Sequence, residues 1–180
     1  PVCQFQHFPN RQEIICDCKE SVNAEYNLSF ILLRKRKAMS QVINRNNYSS
    51  QRSSYLRFIS TALEQYDNKK TTIEEKRDIT VFILLTLLEI QKSIQKTIQP
   101  WEKRGYWVKA DQFRAEWQWV DLVCNGLQKK IRRQEWSTLN SELNVLRKAC
   151  LDFPPYQRLQ VKDPWKGSWQ KWQKIQKEAG

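Results

Sequence analysis

The sequence predicts an all-α protein: an antiparallel helical bundle of about five helices, preceded by a short N-terminal β-hairpin or Cys/His knuckle and followed by a basic, Trp-rich C-terminal tail. Three observations predict it. Apolar residues recur at spacings of three and four through most of the chain. Four glycines and six prolines in 180 residues leave room for long regular elements rather than many tight turns. Hydrophobic residues make up 40% of the chain, enough for one core. The expected divisions are 1–20 for the hairpin or knuckle, 21–153 for the bundle and 154–180 for the tail.

Residues 1–18 alternate. Cys3, Phe5 and His7 fall on one side of an extended strand, and Ile14, Cys16 and Cys18 do the same on a second, with PNRQ as the turn. The first helix is expected from about Ser21 or Asn23 to about Ile43, with Tyr26, Phe30, Ile31 and Leu33 on its apolar side. NRNNYSSQRSS, residues 44–54, has no apolar stripe and reads as an exposed loop. A second helix follows from about Ser53 to Tyr66 on Leu56, Ile59 and Leu63.

Thr72 and Glu75 have capping-box spacing and open the longest helix, which carries the stripe Ile79, Ile83, Leu87, Ile90, Ile94 and Ile98. Pro100 is expected to end it. A fourth helix, from near Ala110, has a seam of Phe113, Trp117, Val120, Cys124, Leu127 and Ile131. A fifth, from about Ser137, repeats the pattern with Leu139, Leu143, Leu146 and Cys150, and DFPPY stops it. No run suits a bilayer; the most apolar, ITVFILLTLL, reads as a buried helix segment, and no signal peptide is recognised. The odd count of five cysteines, two of them in helical patterns, points to reduced thiols and a cytoplasmic setting.

Cys3, His7, Cys16 and Cys18 are the candidate metal ligands, and zinc is the cofactor they would suit, since it takes thiolate and imidazole in a tetrahedron. The spacing opposes it. In an extended strand Cys3 and His7 stand about 13 Å apart, whereas ligands of one zinc lie about 2.0–2.3 Å from it. A flat hairpin and a four-ligand site exclude each other. The alternation favours a hairpin with buried reduced thiols and no cofactor; a Cys3–Cys18 disulfide is the third reading.

Charge carries the functional expectation. Thirty-one Lys and Arg against nineteen Asp and Glu give +12, a surface that attracts polyanions. Residues 26–63 hold no carboxylate but seven cations: Arg34, Lys35, Arg36, Lys37, Arg45, Arg52 and Arg57. Exposed helices usually interleave both signs, so this stretch favours binding over a merely solvated face. Lys129, Lys130, Arg132 and Arg133 form a second basic group, for which the end of a helix is already a sufficient structural reason. All eight tryptophans follow residue 100. In the tail, Trp165, Trp169 and Trp172 are spaced for one helical side, with docking on protein favoured over nucleic acid and membrane. Trp119 and Trp136 are expected to face outward and to need a cover.

No glycine-rich phosphate loop, H-E-x-x-H motif or local triad accompanies the single histidine, so no enzymatic activity is expected. The expected function is non-catalytic binding of RNA or DNA through the phosphate backbone, as a subunit of a larger nucleoprotein complex with other protein subunits. The alternative is a protein–protein adaptor or assembly factor docking through Trp119, Trp136, Trp165, Trp169 and Trp172.

Overall fold

The computed structural model describes residues 47–179. The N-terminal hairpin or knuckle, the helix expected over 21–43, the Cys/His cluster and Arg34, Lys35, Arg36, Lys37 and Arg45 lie outside the described residues.

Five α-helices follow in order: α1 (Tyr48–Asp67), α2 (Ile73–Lys103), α3 (Trp107–Arg132), α4 (Asn140–Ala149) and α5 (Ser168–Ala179), with a 3₁₀ turn at Trp136–Thr138. Paired residues give the directions. Arg52 of α1 meets Ser93 and Thr97 of α2, while Gln65 meets Glu75. Gln91 of α2 meets Asp121 of α3, while Glu102 meets Arg114. Rising numbers on one helix match falling numbers on the next, so α1, α2 and α3 are successively antiparallel. No helix among the described residues is long and apolar enough to cross a membrane.

The middle helix α2 touches α1, α3 and α5. Its predicted isoleucine and leucine stripe is buried along its whole length, against Leu56, Ile59 and Leu63 of α1 and Val120, Cys124, Leu127 and Ile131 of α3. Leu139, Leu143, Leu146 and Cys150 join the same core, as predicted from their spacing. Fully burying one such side chain contributes about 1.5–3 kcal/mol.

The helix boundaries depart from expectation where caps and tertiary partners decide them. Residues 48–54 are the first turns of α1 rather than a loop. Asn47 caps them, its carboxamide oxygen accepting from the Ser50 amide at 3.0 Å. Pro100 sits inside α2 instead of ending it. The proline forfeits one amide bond in the last turns, and the helix runs on to a glycine that can reverse it. Gly105, at φ +75°, closes a Schellman cap: its amide donates to Glu102 O and that of Tyr106 to Trp101 O.

Half of the predicted capping box forms. Thr72 Oγ1 accepts from the Glu75 amide at 3.2 Å. The Glu75 carboxylate turns away from the Thr72 amide and accepts from Gln65 Nε2 at 3.0 Å and Trp165 Nε1 at 3.3 Å. Glu75 thus ties the helix start to α1 and to the tail.

Burial pushes the Cys124 thiol up to about 12, and the Asp121 carboxylate adds to the rise. Since the folded chain holds this proton more tightly than the unfolded chain, the contribution is complete below the ordinary thiol pKa of about 8.5. It is lost as pH rises from there toward about 12. Chemical denaturation across this range is expected to show stability falling with pH, with a shallower fall in Cys124→Ala. A slope unaltered by the substitution would remove the assignment.

Candidate polyanion-binding groove

The tail is where the chain brings its two late basic groups together. α5 is held on α2 by Asp78, whose carboxylate accepts from the Gly167 amide at 2.8 Å and the Trp169 amide at 2.9 Å. Those are the unsatisfied donors of a helix start, so α2 supplies the cap that the tail's own sequence lacks. Gly167 takes φ +78°, which lets the chain turn into α5 there. Trp165 and Trp172 dock into the core, each 5% exposed, and Phe82 meets the Trp165 ring edge-on at 6.4 Å.

This docking lays α5 beside the end of α3. Between them lies a groove of about 350 Å³. Ile131, Trp169 and Trp172 make its apolar part; Arg132 and Gln134 from one wall face Gln173, Gln176 and Lys177 from the other. No carboxylate is among the lining residues. Around it, Lys129, Arg132 and Arg133 stand at i, i+3 and i+4 at the end of α3, and Lys171, Lys174 and Lys177 follow at steps of three along α5. All six are exposed. The nearby acids in sequence are Glu178 and Glu135. Glu135 reaches Arg133 only at 3.8 Å, between two largely exposed side chains, a contact of little energy.

Gln134 has φ +57°. It occupies the left-handed position of a second Schellman cap, with its amide on Ile131 O and that of Glu135 on Lys130 O. A residue with a Cβ costs about 1 kcal/mol or more there relative to glycine, and the backbone still places this amide side chain on the groove wall.

Among the described residues, three other cations expected to contact nucleic acid, Arg52, Arg57 and Lys130, are engaged within the chain. Arg52 points inward, only 6% exposed. Its Nη1 donates to Thr97 Oγ1 at 3.0 Å and Ser93 Oγ at 3.5 Å, and the guanidinium lies over the Phe113 and Trp117 rings at 5.1 and 5.3 Å. Arg57 covers the Tyr156 ring at 4.3 Å and donates to Pro154 O at 3.2 Å, pinning the chain that follows α4. Lys130 bridges to Glu142 at 2.6 Å and also meets Thr138 O and Ser141 Oγ. These three cations hold the fold, whereas Lys129, Arg132 and Arg133 stay on the surface.

The tryptophans expected to await a partner also have neighbours within the chain. Trp119 stacks on Trp117 with ring centroids 6.2 Å apart. Trp136 meets Trp169 edge-on at 5.4 Å, and Arg77 lies 5.8 Å from its ring centroid. Trp165 and Trp172 face the bundle, out of reach of a partner unless α5 is displaced. The spacing of Trp169 and Trp172 announced a docked face; nothing in the sequence announced Gln134, Gln173 and Gln176 as groove residues.

A second groove, about 310 Å³, runs between α2 and α3 past Gln91, Gln95, Trp117 and Gln118. Its charged groups are already engaged: Arg114 with Glu102 and Asp111, and Asp121 with Gln91. Among the described residues no group of three or more His, Cys, Asp or Glu side chains is arranged to hold a metal ion. No protein family, curated protein or solved structure matches the chain.

Proposed function

We propose that this chain is a non-catalytic nucleic-acid-binding protein that holds the phosphate backbone of RNA or DNA along the α3–α5 groove, within a larger nucleoprotein complex. The observation that carries this reading is the groove lining itself, which includes Arg132 from α3 and Lys177 from α5 and no carboxylate. Arginine and lysine take phosphate oxygens, and the glutamine amides offer both donors and acceptors to sugar and phosphate. Of the two indoles in the lining, Trp172 is buried in the core and Trp169 is partly buried with Trp136 edge-on to it at 5.4 Å. The cationic and amide side chains therefore support grip on the backbone rather than base readout as the mode of binding proposed here.

The test is a titration of labelled single-stranded RNA and DNA over a range of salt. Affinity is expected to fall steeply with salt. The triple variant Arg132→Ala/Arg133→Ala/Lys177→Ala is expected to bind more weakly, with a log–log salt slope shallower by about 2 to 3, since each phosphate contact contributes roughly 0.7–0.9. The replaced side chains are exposed, so helicity should be unchanged. Salt-independent binding, or a variant with the original slope, would remove the proposal.

The adaptor reading through Trp119, Trp136 and the tail has weaker support, because those indoles are engaged within the chain.

A further inference from the structure

The turn that joins α2 to α3 carries a surface that the groove does not use. Every residue from Lys103 to Lys109 is exposed. Tyr106, Trp107 and Val108 are 55%, 59% and 72% exposed in succession. Three consecutive large side chains of this kind form a patch rather than scattered surface residues. A Cβ added at Gly105 would meet nothing within 4 Å beyond its chain neighbours, so the turn projects into open space.

Cations border this patch on both sides. Lys103 and Arg104 precede it and Lys109 follows it. The two carboxylates that flank the turn, Glu102 and Asp111, are both held by Arg114. Among the described residues Lys103, Arg104 and Lys109 join no ion pair, and Lys109 Nζ lies 4.5 Å from the Trp101 ring centroid. The tip is thus aromatic and aliphatic at its centre and positively charged around it.

That combination suits an anionic bilayer. Indole and phenol rings settle at the boundary between headgroups and acyl chains, where an apolar body and a polar edge are both satisfied. Each lysine or arginine beside them strengthens attraction to anionic lipid by about fivefold. Val108, the most exposed of the three, gives a base no ring to stack on and a phosphate nothing to bond, but gains on leaving water for hydrocarbon. Residues 103–109 also hold none of the amide side chains that line the α3–α5 groove. Two tips packed on each other would bring the same cations together, like charge on like charge.

We infer that the turn from Lys103 to Lys109 docks the protein on the surface of an anionic lipid bilayer. Tyr106, Trp107 and Val108 enter the headgroup boundary, and Lys103, Arg104 and Lys109 meet the lipid phosphates. About 37 Å of helix separates Trp107 from Arg132, so a bilayer at the tip leaves the α3–α5 groove clear. The two surfaces share no residue, and this inference stands or falls apart from the groove's ligand.

The experiment is sedimentation of the full chain with vesicles of phosphatidylcholine alone or mixed with phosphatidylserine. A basic chain adheres to anionic vesicles through many faces, so variants carry the test. Lys103→Ala/Arg104→Ala/Lys109→Ala is expected to weaken binding to the mixed vesicles about 100-fold. Lys69→Ala/Lys70→Ala/Lys166→Ala removes the same charge from exposed positions at the other end of α2 and is expected to weaken it less than about tenfold. Trp107→Ala/Val108→Ala changes no charge and is expected to weaken it at least about tenfold. Brominated acyl chains should quench part of the tryptophan fluorescence, and Trp107→Phe should lose that part while still binding. Nucleic-acid affinity should be unchanged in every tip variant. The inference is overturned if the two lysine and arginine variants bind alike, if Trp107→Ala/Val108→Ala binds as the original does, or if no quenching is seen. Tip variants that keep vesicle binding and lose affinity for RNA would assign the turn to nucleic acid instead.

Discussion

A Gly126→Leu variant is expected to lose about 3 kcal/mol of stability, because α3 has no room for a side chain where α4 crosses it. A Cβ at residue 126 would lie 2.6 Å from Glu142 Oε1 and 3.1 Å from its Cγ. A long carboxylate usually swings aside, but this one is held. Glu142 is 7% exposed, and its Oε2 accepts from Lys130 Nζ at 2.6 Å and Ser141 Oγ at 2.7 Å. Moving it breaks a largely buried ion pair, a change that leaves charges without partners. Even Gly126→Ala, which gains about 1 kcal/mol of helix propensity, is expected to come out destabilised. Thermal unfolding checks both. The leucine variant should melt about 6–12 °C lower, at about 2–4 °C per kcal/mol for a chain of this size. In Gly126→Ala/Glu142→Ala the two losses should sum to more than the loss measured for the pair, since removing the carboxylate also removes the clash. An alanine variant as stable as the original would mean that α4 does not press on α3 at this point.

Arg52→Ala is expected to cost about 3 kcal/mol in stability while leaving the salt dependence of nucleic-acid binding as it was. The substitution removes hydrogen bonds to Ser93 and Thr97 and the guanidinium lying against Phe113 and Trp117, all within the α1–α2–α3 contact. A cation engaged in this way does not release counterions when a polyanion binds, so its loss should not alter the slope. Melting and the titration on one preparation separate this arginine from Arg132 and Arg133. A folded Arg52→Ala protein with a shallower slope would return Arg52 to the binding surface.

What the residues announced and what they concealed divide along a physical line. The stripe from Ile79 to Ile98, the seam from Val120 to Ile131 and the α4 pattern from Leu139 to Cys150 repeat with helical period, and all are core. Periodicity is local, and it was legible. The start of α1 was not, because its first turns lack an apolar stripe and are held by the Asn47 cap and by an inward arginine. The end of α2 was misplaced at Pro100, since a single missing amide weighs less there than a glycine that reverses the chain five residues later. Both halves of the groove were visible as a basic run and a tryptophan-rich tail. Their meeting was not, because the tail is fastened to Glu75 and Asp78 of α2, some ninety residues earlier, a distance no periodicity crosses. The positive φ of Gln134 likewise leaves no mark on a sequence.

The borrowed cap of α5 also sets an order of events. A helix whose first amides find their acceptor on Asp78 has little reason to persist before α2 exists, and short isolated helices are marginal in water. α5 is therefore expected to consolidate late, against a surface already assembled, and to open before the centre of α2 does. Substitutions such as Asp78→Ala should hasten unfolding while scarcely slowing folding, and amide protons of α5 should exchange well before those at the centre of α2. The α3–α5 groove therefore depends on a helix whose cap is supplied by a residue of α2, some ninety positions earlier in the chain.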